Sequence, residues 1–262
     1  TEKEINQTHY PNKEYRMKKS LAVFLIILTA LSAVGLGCGL TGAAGSLFYR
    51  TGETQQKQEV IPLNDAASAR VTLKMGAGDL RVGAGSDQLA ETRFSYNVPS
   101  WQPTIDYSAD GGEAELKIEQ PKVTGLGTGS IRNVWDLDFN PDIPLRLDVK
   151  LGAGESRLDL SRLTFTRLKM KTGVGFAEVD LTGDRQQDAE IEIRGGVGEV
   201  DVLLPADVGV RVRAAGGLGE IDAQGLSRKG DLYLNEAYDG TGPTLSLDIE
   251  GGVGGIDLIM VD

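Results

Sequence analysis

The chain has one cysteine, Cys38, and one histidine, His9. A single thiol excludes an intrachain disulfide and any multi-cysteine metal cluster. A single imidazole, in a polar N-terminal stretch, excludes Ser-His-Asp triads, Cys-His pairs and histidine-ligated zinc, because each needs an imidazole beside the reacting atom or ion. Positive charge is scarce as well. The net charge is -11 although residues 1–50 are net basic, so the remainder is more acidic still, the wrong sign for bulk nucleic-acid binding. Aromatic residues make up only 6% of the chain. Catalysis by carboxylates alone, such as glycan hydrolysis, is the reaction class that composition leaves, yet nothing in the sequence marks one acid as buried. The expectation is a protein without enzymatic activity or cofactor.

What the chain does have is glycine, 35 residues of it without an every-third-residue period. That excludes collagen and points to a turn-rich β protein. It also has one long uncharged run, Leu21 to Tyr49. At about 1.5 Å of rise per residue this run is ample for a bilayer core of roughly 30 Å. Lys18 and Lys19 precede it, and the positive-inside bias then puts the N-terminus in the cytoplasm. The predicted organisation is a cytoplasmic tail over residues 1–20, a transmembrane helix or signal anchor over 21–49, a linker over 50–59, and an extracytoplasmic domain over 60–262. That places the protein in the cell membrane as a single-pass chain. Cleavage of the run as a signal peptide and lipid modification of Cys38 are the alternatives, and each exports the same domain. Thr1 is not an initiator, so Met17 is an alternative start. Gly37, Gly39 and Gly42 fit G-x-G-x-x-G, but no strand precedes them, so no dinucleotide site is predicted. Gly35, Gly39 and Ala43 form a small-residue ridge suited to packing two such helices.

Six segments of the domain align on G-x-G: VTLKMGAGDLRV, LDVKLGAGESRLDL, LKMKTGVGFAEVDL, IEIRGGVGEVDVLL, VRVRAAGGLGEIDA and LDIEGGVGGIDLIM. Their glycines are Gly76 and Gly78, Gly152 and Gly154, Gly173 and Gly175, Gly196 and Gly198, Gly217 and Gly219, and Gly252 and Gly254. From the second copy the spacings are 21, 23, 21 and 35 residues, with insertions over 85–144 and 226–243. A fixed period of this size is the mark of a solenoid. In the fourth copy Ile191 and Ile193 share one parity and Val200 and Val202 the other, so the inward face changes parity across G-x-G. Side chains alternate along a strand, and that change therefore requires a corner or bulge, for which glycine is suited. The middle residues, Ala77, Ala153, Val174, Val197, Leu218 and Val253, are all apolar and are expected to plug the core. The fold expected is all-β, a β-solenoid resembling a parallel β-helix, with about six stacked coils and one N-terminal transmembrane helix.

Strands rather than helices follow the glycines, which argues against a phosphate cradle. A calcium β-roll would carry its acid as the sixth residue of G-G-x-G-x-D, but Val200, Ile221 and Ile256 stand there, and Asp201, Asp222 and Asp257 come seventh. No metal site is predicted.

Outward columns carry whatever function there is. On the first strand of each coil a basic face is predicted from Lys74, Lys150, Lys171 and Arg194, with Arg146, Arg167 and Arg211 four residues upstream in their coils. Between these runs a column of alternating sign, Asp148, Lys169, Glu192, Arg213 and Asp248, suited to setting register between successive coils. On the second strand Glu178, Asp201, Asp222 and Asp257 form an acidic face. Solvent, a cation or a basic partner would relieve their repulsion. Trp101 and Trp135, in the aromatic-rich first insertion, are the candidate contact aromatics.

The segments MGAGDLRV, IPLRLDV, KTGVGFAEVDLTGD, GGVGEVDVLLPADVGVRV and GGVGGIDL resemble the toast-rack domain of bacterial cell-envelope proteins and, more distantly, adhesins built on glycine-cornered β-solenoids. The resemblance covers about residues 60–262. It implies an envelope-associated protein that binds rather than catalyses, with a link to antibiotic-stress response. The partners expected are the membrane through 21–49, an anionic envelope component or an envelope protein, and no nucleic acid. A surface adhesin or self-associating structural protein, a homo-oligomer joined through the open sheet edge of the last coil, is the alternative.

Overall fold

The computed structural model describes residues 48–122, 126–128 and 130–261. The expected cytoplasmic tail, Cys38 and the apolar run up to residue 47 lie outside the described residues. Among the described residues no helix is long and apolar enough to cross a membrane.

Strand β1 (Phe48–Arg50) opens the described chain, so the last two positions of the expected membrane segment are strand. Strand β2 (Gln55–Ile61) takes up the second half of the expected linker. Its side chains alternate between exposed and half-buried, as a polar edge strand's do. The first G-x-G coil is one bent strand, β3 (Ser68–Ala84). The first insertion supplies β4 (Ala90–Tyr96), a 3-10 turn at Pro99–Trp101, β5 (Thr104–Asp110), β6 (Glu113–Glu119), β7 (Leu126–Thr128) and β8 (Asn133–Phe139). Coils two and three are β9 (Leu145–Asp159) and β10 (Phe165–Asp180). The fourth coil divides into β11 (Ala189–Arg194) and β12 (Val197–Pro205), and the fifth into β13 (Gly209–Leu218) and β14 (Ile221–Asp222). The second insertion holds β15 (Ser227–Lys229) and β16 (Leu232–Leu234), and the sixth coil is β17 (Thr244–Val253) and β18 (Ile256–Val261).

The parity change read from the sequence is present. In the second coil Leu147, Val149 and Leu151 are buried before the corner, and Ser156, Leu158 and Leu160 after it. The inward residues of both halves join one hydrophobic core. Each fully buried Leu, Ile or Val in it contributes about 1.5–3 kcal/mol relative to exposure. The second glycine of every corner has φ between +128° (Gly154) and +154° (Gly219), where a side chain is strained.

Coils one to four stack in sequence order, each parallel to the next: Val71 pairs with Leu147, Leu168 with Leu147, and Leu168 with Ile191. The order then reverses. The sixth coil lies on the fourth, with Ile191 opposite Leu247 and Val200 opposite Ile256. The fifth lies outside the sixth, with Val212 opposite Leu247 and Ile221 opposite Ile256. Successive stacking, which the sequence suggests, therefore fails at the last two coils, and β18 lies between β12 and the short β14, which pairs with it only at Ile256 and Asp257. The second insertion explains this. Its β15–β16 hairpin runs antiparallel against the outer edge of β13, Arg211 opposite Leu234, and closes the far side before the chain returns inward.

The other end is closed by the first insertion. Strands β6 and β8 run parallel to the two halves of β3 and so form one more rung, without a glycine corner. Strand β5 pairs antiparallel with β6, while β4 pairs with β8 and β2 with β4. Strands β1 and β7 form a separate parallel pair.

Candidate functional site

At the corners the glycines of one coil lie on those of the next. A Cβ at Gly175 would stand 1.8 Å from the Gly154 carbonyl oxygen, and one at Gly196 would stand 2.1 Å from that of Gly173. The backbone groups here are used by neighbouring rungs: Val253 N–H donates to Gly196 O at 2.8 Å and Gly254 N–H to Leu218 O at 2.8 Å. Donors committed in this way cannot cradle a phosphate, so the corners are structural. The first corner has no glycine rung outside it, and side-chain amides take that place. Gln120 Oε1 accepts from Gly76 N–H at 2.9 Å, and Asn133 Nδ2 donates to Ala77 O at 2.6 Å. Asn133 Oδ1 in turn accepts from Trp135 Nε1 at 3.1 Å.

The middle residues of the corners do not plug the core, contrary to their apolar character. Val174 is 44% exposed, Val253 47% and Leu218 73%. The positive φ that follows turns the backbone so that the middle side chain stays outside, and the parity change is completed one residue later.

The coil order redraws the charged faces. On the first-strand face the rungs β3, β9 and β10 bring together Arg70, Lys74, Arg146, Lys150, Arg167, Lys169 and Lys171 around a single acid, Asp148. Lys74 pairs with Glu119 at 2.6 Å and Lys150 with Asp148 at 3.5 Å, while Arg146 reaches Glu113 at 3.9 Å. Arg167 and Lys171 are exposed and have no ion-pair partner among the described residues. Two of the predicted basic residues fall outside this patch. Arg194 is ringed by Glu192 at 3.3 Å, Asp248 at 3.4 Å and Glu250. Arg211 lies beyond the sixth coil and donates to Ser246 at 3.2 Å. The alternating column is also broken, because Glu192 now stands opposite Asp248. Lys169 binds Glu192 at 3.0 Å, and that hydrogen bond, more than the opposing cost of burial, holds the Glu192 carboxyl below its ordinary range.

On the other face the acidic column survives, since Glu178, Asp201, Asp257 and Asp222 are successive register partners. It is not uniformly solvated: Asp201 is only 2% exposed. Glu199, Asp201 and Asp257 offer oxygens within 4.8 Å of one another, a cluster that exists only because the sixth coil lies on the fourth. The carboxylate-rich face is therefore tightest at a place the linear order does not indicate.

Both candidate contact aromatics are buried, Trp101 at 6% exposure and Trp135 at 0%. Trp135 packs edge-on against Phe94 with ring centroids 5.5 Å apart, so the aromatics of the insertion build its own core. Beside them an open groove of about 590 Å³ is lined by Thr54, Asp79, Asn97, Trp101, Arg132 and Asn133.

Two buried polar side chains that sequence reasoning missed staple the turns between coils. The Arg185 guanidinium donates to Leu163 O at 2.9 Å and Leu160 O at 3.1 Å and lies 4.3 Å over the Phe165 ring. Burial pushes its pKa down to about 10. Asn235 accepts from Val210 N–H at 2.9 Å and donates to Val208 O at 2.7 Å. Both stand in turn sequences with no periodic signal.

The architecture defines a class, the glycine-cornered β-solenoid with both ends closed by hairpins. Residues 50–203 match the family described as "N-terminal domain of toast_rack, DUF2154", and the chain belongs to that family. A crystal structure of "a putative cell adhesion protein" from Clostridium sporogenes is 30% identical with a TM-score of 0.78, covering 80% of this chain and 100% of that one. A "putative adhesin" from Bacteroides fragilis is 11% identical with a TM-score of 0.34, covering 80% of this chain and 100% of its own. No curated protein matches significantly.

Proposed function

We propose that this protein is a non-enzymatic binding protein of the bacterial cell envelope, held at the membrane by residues 21–49 with the stack outside, and that its first-strand face receives an anionic envelope component. The observation that carries the reading is the patch on β3, β9 and β10, where Arg167 and Lys171 are exposed without an ion-pair partner among the described residues. Acids border it on both sides, Glu119 on β6 and Glu190 and Glu192 on β11, which confines positive potential to the centre of the sheet. In an envelope stress response the same patch would receive the acidic surface of a signalling protein. The test is capture of envelope fractions by the purified full chain at low and high salt. Salt-sensitive capture lost in R146E/R167E/K171E is expected, and capture indifferent to salt and to these changes sinks the reading.

A second reading, a surface adhesin, is favoured by the 30% identity to the Clostridium sporogenes protein described as "a putative cell adhesion protein". Adhesion of cells displaying the chain to host or bacterial surfaces, compared with cells lacking it, separates the two.

A further inference from the structure

Register pairing runs the six corner residues into one ridge along the outside of the stack, in the order Ala77, Ala153, Val174, Val197, Val253, Leu218. Side-chain size rises along it from alanine to valine to leucine. Val174, Val253 and Leu218 are three of the five large hydrophobic residues most exposed among the described residues. Stacking of the coils aligns these positions whatever occupies them, but it does not require them to be aliphatic, and water is released if they are covered.

The two flanks of the ridge differ in charge. On the first-strand side stand Lys74, Lys150, Lys171 and Arg194; on the second-strand side of the same four rungs stand Asp79, Glu155, Phe176 and Glu199. An anionic membrane surface is disfavoured as the cover, since it would meet one flank and be repelled by the other. A second copy of the chain suits both. When two ridges lie side by side pointing the same way, about a two-fold axis parallel to the stack, the basic flank of each copy meets the acidic flank of the other. Rung by rung this sets Lys74 against Asp79 and Lys150 against Glu155, which also binds Arg157 of its own chain at 2.9 Å, and brings Lys171 beside the Phe176 ring, while Arg194 stays with the three acids of its own chain. Turning one copy end for end would instead oppose lysine column to lysine column. We infer that the corner ridge is a homodimer seam in which two chains pair in parallel, each coil beside its own counterpart.

The seam shares Lys74, Lys150 and Lys171 with the basic patch, whereas Val174 and Leu218 belong to the seam alone, so V174D/L218D separates the two ideas. The test uses the full chain carrying Cys38→Ser, with Val174→Cys or Leu218→Cys added. In a parallel seam each residue faces its own counterpart, so both variants should form a reducible covalent dimer. V174D/L218D should be monomeric, with unchanged circular dichroism and with salt-sensitive capture of envelope fractions retained. K150E or E155K alone should weaken the dimer by roughly tenfold, and K150E/E155K together should restore it. A cross-link at Val174→Cys without one at Leu218→Cys would mean an antiparallel pair and overturn the assignment. So would a wild-type monomer at about 0.1 mM, or a dimer that survives V174D/L218D and forms neither disulfide.

Discussion

Gly254 stacks directly on Gly198: a Cβ at Gly254 would stand 1.7 Å from the Gly198 carbonyl oxygen. Gly219, the equivalent glycine of the fifth coil, lies on its other side, so the sixth coil is held between the fourth and the fifth. Each consequence of that contact can be measured.

Ala at Gly198 or Gly254 must adopt φ of +140° or +133° and also displace a backbone carbonyl of the neighbouring rung. A loss of about 3 kcal/mol or more is expected in denaturant unfolding. Gly111→Ala, in a hairpin turn with open space around it, has only the strain of its φ of +58° to meet and should cost about 1 kcal/mol.

Deleting residues 244–262 should do more than trim one rung. Strand β13 draws its parallel partner from β17, so the fifth coil loses its neighbour and Val210 and Val212 lose their cover. Hydrogen exchange should show the amides of residues 214–218, beyond the reach of the β15–β16 hairpin, unprotected in the truncated chain. Persisting protection would mean that the fifth coil rests on the fourth.

Arg185→Ala leaves the Leu163 carbonyl without its side-chain donor, takes one of two donors from the Leu160 carbonyl and uncovers the Phe165 ring. A cost of roughly 2–4 kcal/mol is expected. Arg185→Lys should recover little of it, because a single ammonium cannot reproduce the planar fork. Thermal unfolding of the two variants reads the difference.

Acid should weaken the stack through Glu119 and Glu192. Hydrogen bonds from Lys117 and then Lys74 lower the first carboxyl, and one from Lys169 lowers the second. A carboxyl whose folded pKa is depressed adds stability above its unfolded value, near 4.5, and that stability is lost as pH falls through the folded value. Both side chains are partly exposed, so the effect is shallow. The double variant E119Q/E192Q should show a flatter stability profile below about pH 4.5, and an unchanged slope would contradict the assignment.

The corner glycines and the inward strand residues were legible in the sequence because both obey short-range rules. Parity must change where Ile193 gives way to Val200, and glycine is the residue that permits the turn. Lys150 and Lys171 were legible as a basic face for the same reason, as they occupy one position in consecutive coils. Trp101 and Trp135 were misread because an aromatic in an insertion has no periodic partner to show which side it faces. Val174 and Leu218 were misread because the local turn of the corner, rather than hydrophobicity, sets the direction of the middle side chain. Arg185 and Asn235 lie in turns where the bonded carbonyls come from distant coils.

The sequence by itself determined the rung: its length, its two-sided core and its glycine corner follow from alternation and steric freedom within about twenty residues. Only the tertiary structure decided the order of the rungs. The six coils present nearly the same edges, so pairing energy does not distinguish one neighbour from another. The choice falls to the β15–β16 hairpin, which occupies the far edge of the fifth coil and leaves the sixth a place only on the fourth. That choice surrounds Arg194 with acids, gathers Glu199, Asp201 and Asp257, and sets Val253 beside Leu218 on the outer ridge.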